Sequence, residues 1–174
     1  WKSLEADFDL AYSQNLSMDY AFFIPLHFIH PSTNIPIVPL FVNAYLPPQP
    51  TPRRCYAWGR EIARILAERP ERIALVASGG LSHYPGTTRY SNPDFTFDRW
   101  VLDVLEKGRG SELAKLTSED LDQAGNIELR PWITALGIVG DVPAEVLTYQ
   151  PEWHHGYGVV RWEVRHETDI EAYA

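Results

Sequence analysis

The chain has 174 residues, of which 45% are hydrophobic and 22% charged, a composition typical of a folded globular protein rather than a disordered one. This length suits one ordinary domain with a core of its own. The formal net charge of -8, with no basic patch to offset it, argues against a nucleic-acid-binding or membrane-binding surface. No apolar run approaches the roughly 20 residues that a membrane-spanning helix needs, and the single cysteine, Cys55, cannot form an internal disulfide. We therefore expect a cytoplasmic protein.

The first part of the chain contains a histidine pair and a proline-containing apolar run. His27 and His30 have a spacing that could chelate a metal on a helix, but Pro25 and Pro31 predict that no regular helix forms there. Residues 35–42 are rich in β-forming side chains and predict a strand in their second half. Their prolines favour an edge position or the beginning of a strand.

A helix and a buried strand are predicted next. Thr51 followed by Pro52 is a typical helix start, and apolar residues at three- and four-residue spacing continue until Pro70 ends the helix. Residues 73–77 form a short continuous apolar run, which predicts a strand covered on both faces. The strand leads into the glycine-containing segment 78–83, and this succession of helix, strand and turn indicates an α/β fold.

The rest of the chain predicts three more helical segments and two strands. The helices begin at Asn92-Pro93, at Thr117 with Asp120 in a capping-box position, and near residue 127, and the strands cover residues 144–149 and 157–164. We expect a three-layer α/β/α sandwich with a mixed β-sheet and no internal domain boundary.

The segment Ser78-Gly79-Gly80-Leu81-Ser82-His83 is the first candidate for chemistry. The two glycines allow a sharp turn or a close approach to a ligand, and ligands of open α/β sheets bind beyond the carboxyl ends of strands. His83 is therefore a candidate acid/base, although a histidine packed in a loop would fit the same pattern. A serine nucleophile is disfavoured, because its elbow requires the order Gly-x-Ser-x-Gly.

Glu128 is the second candidate, with Trp132 one helical turn later. A carboxylate beside aromatic bulk is either a paired structural acid, favoured by the dipole at a helix start, or a metal-binding or acid/base group.

His154 and His155 lie in a turn between the last strands. Adjacent residues of a strand point to opposite faces, so these two histidines make a poor pair of ligands, although one of them could line a pocket mouth.

Seven short motifs occur in the order seen in one known family, and the resemblance covers the chain from about residue 17 to residue 163. They are Met18-Asp19-Tyr20, Ile24-Pro25-Leu26, Ile37-Val38-Pro39, Val42-Asn43, Arg54-Cys55-Tyr56-Ala57-Trp58-Gly59, Ser78-Gly79-Gly80-Leu81-Ser82-His83, and Ala124-Gly125-Asn126-Ile127-Glu128 with Trp132. In these motifs the chain resembles the LigB-type extradiol dioxygenases, the catalytic subunits that act on protocatechuate, gallate and methylgallate.

The resemblance implies an Fe(II) enzyme that cleaves a catecholic ring beside its two hydroxyls with O2. Glu128 matches the family's glutamate ligand, and His83 matches a histidine beside the iron that moves protons. The resemblance places Tyr20, Asn43 and Ser82 at the substrate, with Tyr20 standing where several relatives carry a histidine.

The family's two histidine ligands lie upstream of every motif matched here, and no histidine precedes His27. We therefore expect residues 1–174 to be the C-terminal portion of a single LigB-like catalytic domain. The resemblance also implies an oligomer, built from copies of the chain or with a related or small subunit. Two alternatives stay open, namely a non-catalytic LigB-like subunit or binding module, and a different metal hydrolase on the same α/β/α plan.

Overall fold

The computed structural model describes residues 2–29 and 35–164 of the chain. Within these ranges the fold consists of six α-helices, one 3₁₀ helix and a β-hairpin. In chain order they are α1 (Lys2–Glu5), α2 (Tyr20–Ile29), α3 (Pro52–Leu66), α4 (Phe95–Glu106), the 3₁₀ helix (Gly110–Lys115), α5 (Ser118–Ala124), α6 (Leu129–Val139), β1 (Glu145–Glu152) and β2 (His155–Arg161). None of the helices in these ranges combines the length and apolarity that crossing a bilayer requires.

Helices α3 and α6 pack closely against each other, and glycines allow the approach. A Cβ atom on Gly59 would lie 2.0 Å from the carbonyl oxygen of Thr134, and one on Gly137 would lie 2.2 Å from that of Tyr56. Both distances are far shorter than any non-bonded contact, so neither position has room for a side chain. This contact anchors α6, the helix whose first turn follows Glu128.

The turn between α5 and α6 places Glu128 at the start of α6. Thr117 and Asp120 form the predicted capping box at the start of α5, and Gly125 ends that helix in the left-handed conformation with φ 68°. The chain then turns through Asn126, whose N–H donates to the carbonyl of Leu121 at 2.8 Å. Glu128 lies directly before Leu129, the first residue of α6.

The hairpin is the only paired sheet within the described ranges. Its strands β1 and β2 are antiparallel, with Glu152 opposite His155 at the turn and an irregular register between Val146 and Thr148. One hydrophobic core joins the hairpin to the helices α3 to α6. Its buried members are Cys55, Leu81, Val101, Leu102, Val104, Leu105, Leu113, Leu121, Leu129, Trp132, Ile133, Leu136 and Ala144.

Most local predictions agree with these elements. The helix start at Thr51-Pro52, the capping box, the helix that follows Asn92-Pro93 and the final pair of strands are confirmed, with bounds that differ by a few residues. The α/β expectation holds in its coarse form, as helices combined with a small antiparallel sheet. A mixed sheet does not occur among the residues that the structure covers, so the three-layer sandwich stays a prediction.

Two predicted strands are not observed. Residues 35–42 and 73–77 lie outside every helix and strand. An apolar run becomes a strand only where a neighbouring backbone pairs with it, and neither segment finds such a neighbour in the described part of the chain. The expectation that residues 73–77 are covered on both faces is also wrong there, since Ile73 is 51% exposed.

The prediction that prolines prevent a helix at His27 is wrong as well. Residues Tyr20–Ile29 form α2 with Pro25 inside it. The helix begins with support from Asp19, whose carboxylate accepts the N–H of Ala21 at 3.0 Å, and the missing N–H of Pro25 removes one bond without ending the helix. His30 lies outside the described residues, so the predicted absence of a metal pair with His27 stays a prediction.

Candidate active site

The segment 78–83 is held between the turn before α6 and the turn of the hairpin. The N–H of His83 donates to the carbonyl of Gly125 at 3.0 Å, and the N–H of Gly156 donates to the carbonyl of Ser82 at 3.0 Å. Leu81 and Ser82 are buried between these attachments. The segment 78–83 is therefore fixed both to the turn that leads to Glu128 and to the hairpin that carries His155.

His83 faces Glu128, and its ring orientation is set by the main chain. The Nδ1 atom lies 2.9 Å from the carbonyl oxygen of Leu81. Because a carbonyl can only accept, Nδ1 carries the hydrogen of this bond. The other ring nitrogen, Nε2, lies 3.7 Å from Glu128 Oε1, a charge contact longer than a hydrogen bond. Neutral His83 thus presents an unprotonated Nε2 beside a carboxylate.

The two side chains stabilise each other's charged forms. Burial lowers the pKa of His83, but the contact with Glu128, the Leu81 carbonyl and the charges of Glu128 and Asp98 outweigh it, so the pKa is raised. The pKa of Glu128 is lowered, chiefly by the contact with His83, against the opposing effect of burial. Glu128 is therefore an ionised carboxylate at neutral pH, the form in which a carboxyl group binds a metal ion.

His155 is a third member of the site. Its ring stacks on that of His83 with centroids 4.3 Å apart and planes 1° apart, and it stacks on Tyr157 from the other side at 4.3 Å. Burial, together with repulsion from His83, lowers the pKa of His155 to about 4. His155 is consequently uncharged near neutral pH, and a charge on His83 is stabilised chiefly by Glu128, with a smaller effect from Asp98.

Only a weak sequence signal pointed to His155. The alternation of a strand predicts that His154 and His155 face opposite sides, and the structure agrees. His155 turns to His83, whereas His154 lies against Tyr90 and Trp153. Which of the two faces the site depends on how the hairpin packs, and that could not be read from the local sequence.

Gly80 lies at the centre of these three side chains. A Cβ atom on Gly80 would be 3.0 Å from Glu128 Oε2, 3.1 Å from His155 Nε2 and 3.4 Å from His83 Cε1. Gly79 is equally confined, since its Cβ would lie 2.6 Å from the carbonyl oxygen of Glu128. The double glycine therefore lets the loop backbone approach the polar side chains closely, as the sequence indicates.

A groove of about 250 Å³ opens beside this cluster, between the loop and the hairpin. Its lining includes Gly79, Gly80, Trp132, Thr148, Gln150, His155 and Tyr157. The groove therefore combines aromatic faces with the polar side chains of β1, next to the histidine pair. Such a mixture suits a planar molecule with polar substituents.

The three predicted substrate-binding residues lie in different surroundings. Tyr20 begins α2 and is 74% exposed. The amide of Asn43 donates to the carbonyls of Leu46 and Pro48, both at 2.8 Å. Ser82 is buried, and its hydroxyl oxygen accepts the N–H of Asp94. These main-chain contacts give Asn43 and Ser82 structural roles, and the substrate-binding role of all three stays a prediction.

The donor set can be compared with what iron requires. Glu128 offers an ionised carboxylate that is one-third exposed, so it fits the part of a carboxylate ligand. In residues 2–29 and 35–164 there is no group of three His, Cys, Asp or Glu side chains arranged to hold a metal ion. Glu128 can thus contribute to a metal site, and the described residues do not complete one.

Comparison with known proteins gives consistent matches. Residues 2–160 match the family described as the catalytic LigB subunit of aromatic ring-opening dioxygenase. Gallate dioxygenase of Pseudomonas putida is 34% identical over 153 residues, which cover 83% of this chain and 44% of that protein.

Two further relatives carry the name 2,3-dihydroxyphenylpropionate/2,3-dihydroxicinnamic acid 1,2-dioxygenase. The protein of Burkholderia vietnamiensis is 31% identical, over 91% of this chain and 66% of its own length. The protein of Rhodococcus jostii is 27% identical, over 90% of this chain and 66% of its own length. The chain thus spans between 44% and 66% of these relatives. With a family match that runs from residue 2 to residue 160, the chain belongs to the LigB family of catalytic subunits of aromatic ring-opening dioxygenases.

Proposed function

We propose that this chain carries part of the active site of an Fe(II)-dependent extradiol dioxygenase that opens the ring of a catecholic compound with O2. The observation that carries the proposal is the grouping of His83, Glu128 and His155 around Gly80, in a chain of the LigB family. The relatives named for gallate and for 2,3-dihydroxyphenylpropionate support a substrate with two neighbouring ring hydroxyls. We include protocatechuate in the same class.

Glu128 is the proposed carboxylate ligand of the iron. The two histidine ligands of the proposed site would come from outside the described residues. Fe(II) held by two histidines and one carboxylate supplies open positions at which a catecholate and O2 meet. We also propose that the complete domain is a three-layer α/β/α sandwich with a mixed sheet. The same proposal includes an oligomeric assembly.

His83 is the proposed proton carrier. With its hydrogen fixed on Nδ1 by the Leu81 carbonyl, the neutral ring has a free electron pair on Nε2. Nε2 can accept the proton of a catechol hydroxyl, and the resulting imidazolium is stabilised by Glu128 Oε1 at 3.7 Å. The imidazolium can return that proton in a later step, so one residue performs both transfers.

His155 is proposed to orient His83 and to keep the surroundings of that ring neutral. A parallel ring at 4.3 Å restricts the rotation of the His83 imidazole. Because the low pKa of His155 leaves it uncharged, it does not compete for the proton that His83 takes up. Its own Nε2, on the side of Gly80, is then free to accept or donate a hydrogen bond to a bound molecule.

The second candidate function is a LigB-like subunit without catalytic activity. It is favoured by one observation, which is that the described residues do not assemble three metal-binding side chains. The conjunction of Glu128, His83 and His155 speaks against it, because a purely structural subunit does not need a partly buried carboxylate beside two imidazoles.

Oxygen uptake distinguishes the two candidates. The intact protein is loaded with Fe(II) under anaerobic conditions, mixed with protocatechuate, gallate or 2,3-dihydroxyphenylpropionate, and then supplied with O2. The proposal predicts uptake that requires both iron and at least one of these catechols. If stoichiometric iron is bound and no catechol gives oxygen uptake, the dioxygenase proposal is wrong and the protein is a non-catalytic subunit.

A further inference from the structure

Asp98 on helix α4 is a buried carboxylate that joins the segments of the site. Its side chain is 0% exposed. The Oδ1 atom accepts the N–H of Ser82 at 2.9 Å and the side-chain amide of Asn126 at 3.1 Å, and Oδ2 accepts the hydroxyl of Tyr149 at 3.0 Å. One side chain thus binds the glycine-containing loop, the turn before α6 and strand β1.

Each of these contacts lies next to a residue of the candidate site. Ser82 directly precedes His83, and Asn126 lies two residues before Glu128. On the hairpin, Gly156 directly follows His155, and a Cβ atom at Gly156 would lie 2.0 Å from Asp98 Oδ2. The backbone at Gly156 therefore approaches the Asp98 carboxylate so closely that only glycine, which has no Cβ, fits at this position.

Asp98 holds its partners by hydrogen bonds, which fix directions as well as distances. The partners of Asp98 are all neutral donors, and burial raises its pKa against the effect of the hydrogen bonds from Asn126, Ser82 and Tyr149. A buried carboxylate without a cation is unfavourable for stability, and apolar packing would hold α4 to the hairpin at lower free energy. What apolar packing does not supply is a set of hydrogen bonds with defined lengths and angles to three separate segments.

We propose that Asp98 is the positioning residue of this site, which sets the relative placement of His83, Glu128 and His155 through its bonds to Ser82 and Asn126 and its contact with Gly156. The consequence for catalysis rests on the proposed dioxygenase function. The structural consequence does not, because the stacking of His83 on His155 is a contact between two side chains of the protein.

Three variants of the intact protein test this inference. Asp98→Ala removes all the bonds. Asp98→Asn keeps an oxygen for Ser82 and Asn126, and its amide can donate to the Tyr149 hydroxyl, which is able to accept. Asp94→Ala is the matched control, because the Asp94 carboxylate caps the same helix by accepting the N–H of Phe97 at 3.0 Å.

The first readout is NMR of the protein labelled at the histidine Cε1 position, with the two resonances assigned from His83→Gln and His155→Gln. Stacked rings shift each other's signals. We expect Asp98→Ala to move the signals of His83 and His155 towards their positions in unfolded protein. Asp98→Asn and Asp94→Ala should keep the native positions. Unchanged signals in Asp98→Ala would overturn the inference. If the alanine variant does not fold, Asp98→Ser, which reaches fewer donors, is measured instead with the same two outcomes.

The second readout is turnover of the iron-loaded enzyme. Small displacements of reacting groups can reduce rates by about 10², so we expect Asp98→Ala to lower kcat by about tenfold or more relative to Asp94→Ala. KM should change much less, and Asp98→Asn should recover most of the rate. Equal kcat in Asp98→Ala and Asp94→Ala would contradict a positioning role. If the unmodified enzyme shows no turnover, the dioxygenase proposal fails and the NMR readout alone decides on Asp98.

Discussion

His83 and His155 lie face to face, with ring centroids 4.3 Å apart and planes 1° apart, although 72 positions separate them in the sequence. The pKa values of the two rings are shifted in opposite directions. The pKa of His83 is raised, with Glu128 as the main counterweight to burial, and that of His155 is lowered to about 4 by burial and by repulsion from His83. Of the two adjacent imidazoles, the one that faces the carboxylate therefore takes up a proton more readily than the other.

The separate roles of His83 and Glu128 can be tested by iron content and turnover together. His83→Ala removes the proton carrier and should lower kcat by about 10² to 10⁴ while iron stays bound. Glu128→Ala removes a proposed ligand and should lose the iron itself. The measurements are metal analysis after gel filtration and oxygen uptake. Equal iron content in both variants would mean that the roles are assigned wrongly.

The low pKa of His155 predicts a pH-dependent stability. In the unfolded chain a histidine takes up its proton near pH 6.5, and His155 in the folded protein does so near pH 4. Between these values the folded state binds fewer protons, so the free energy of unfolding falls as the pH is lowered through this window. The contribution is at most about 3.5 kcal/mol, since the pKa is lowered from 6.5 to about 4 and one pKa unit corresponds to about 1.4 kcal/mol.

Replacing His155 with glutamine removes this titration. Urea denaturation near neutral pH and at about pH 5 should show a smaller loss of stability on acidification for His155→Gln than for the unmodified protein. The same loss in both proteins would show that His155 does not titrate in this way.

Gly80→Ala should impair the site more than the fold. The added Cβ would lie 3.0 Å from Glu128 Oε2 and 3.1 Å from His155 Nε2, so these side-chain ends must move apart. We expect turnover to fall by about tenfold or more, with a change in unfolding free energy of about 1 kcal/mol or less. Full activity of Gly80→Ala would show that the close approach at Gly80 has no functional meaning.

Gly59→Ala should, in contrast, destabilise the fold strongly. Its Cβ would lie 2.0 Å from the Thr134 carbonyl oxygen and would force α3 and α6 apart. Backbone cannot yield as a side chain does, and we expect a loss of about 3 kcal/mol or more, at or beyond the upper end of ordinary overpacking. Thermal unfolding measures the effect. A Tm within a few degrees of the unmodified protein would contradict the tight α3–α6 contact.

Local features were predictable because their causes are local. The capping box of Thr117 and Asp120 joins residues three positions apart, and the helix start at Thr51 depends on its own hydroxyl and on Pro52. The final hairpin follows from alternation within β1 and β2. The family resemblance marked His83 and Glu128 before any contact was known, and the structure places them 3.7 Å apart.

Tertiary features were not predictable in the same way. The apolar run at residues 73–77 has the composition of a buried strand, but pairing depends on a neighbouring backbone that composition cannot specify. His155 escaped assignment because alternation separates it from His154 without saying which one turns inward. Asp98 gave no signal at all, since a carboxylate on a helix is usually solvated and its donors come from three distant segments.

Product analysis with ¹⁸O₂ tests the central claim most directly. The intact, iron-loaded protein is supplied with protocatechuate, or with whichever catechol gives uptake, and the product is examined by mass spectrometry. Extradiol cleavage of protocatechuate opens the ring beside the two hydroxyls and leaves one new carboxylate and one aldehyde, with both atoms of one O₂ molecule in the product. From the unmodified protein we expect this product with protocatechuate, or with another catechol the corresponding product of cleavage beside the hydroxyl pair with two ¹⁸O atoms, and its near absence with His83→Ala. A dicarboxylate formed by cleavage between the hydroxyls, or a product without ¹⁸O, would contradict the proposed chemistry.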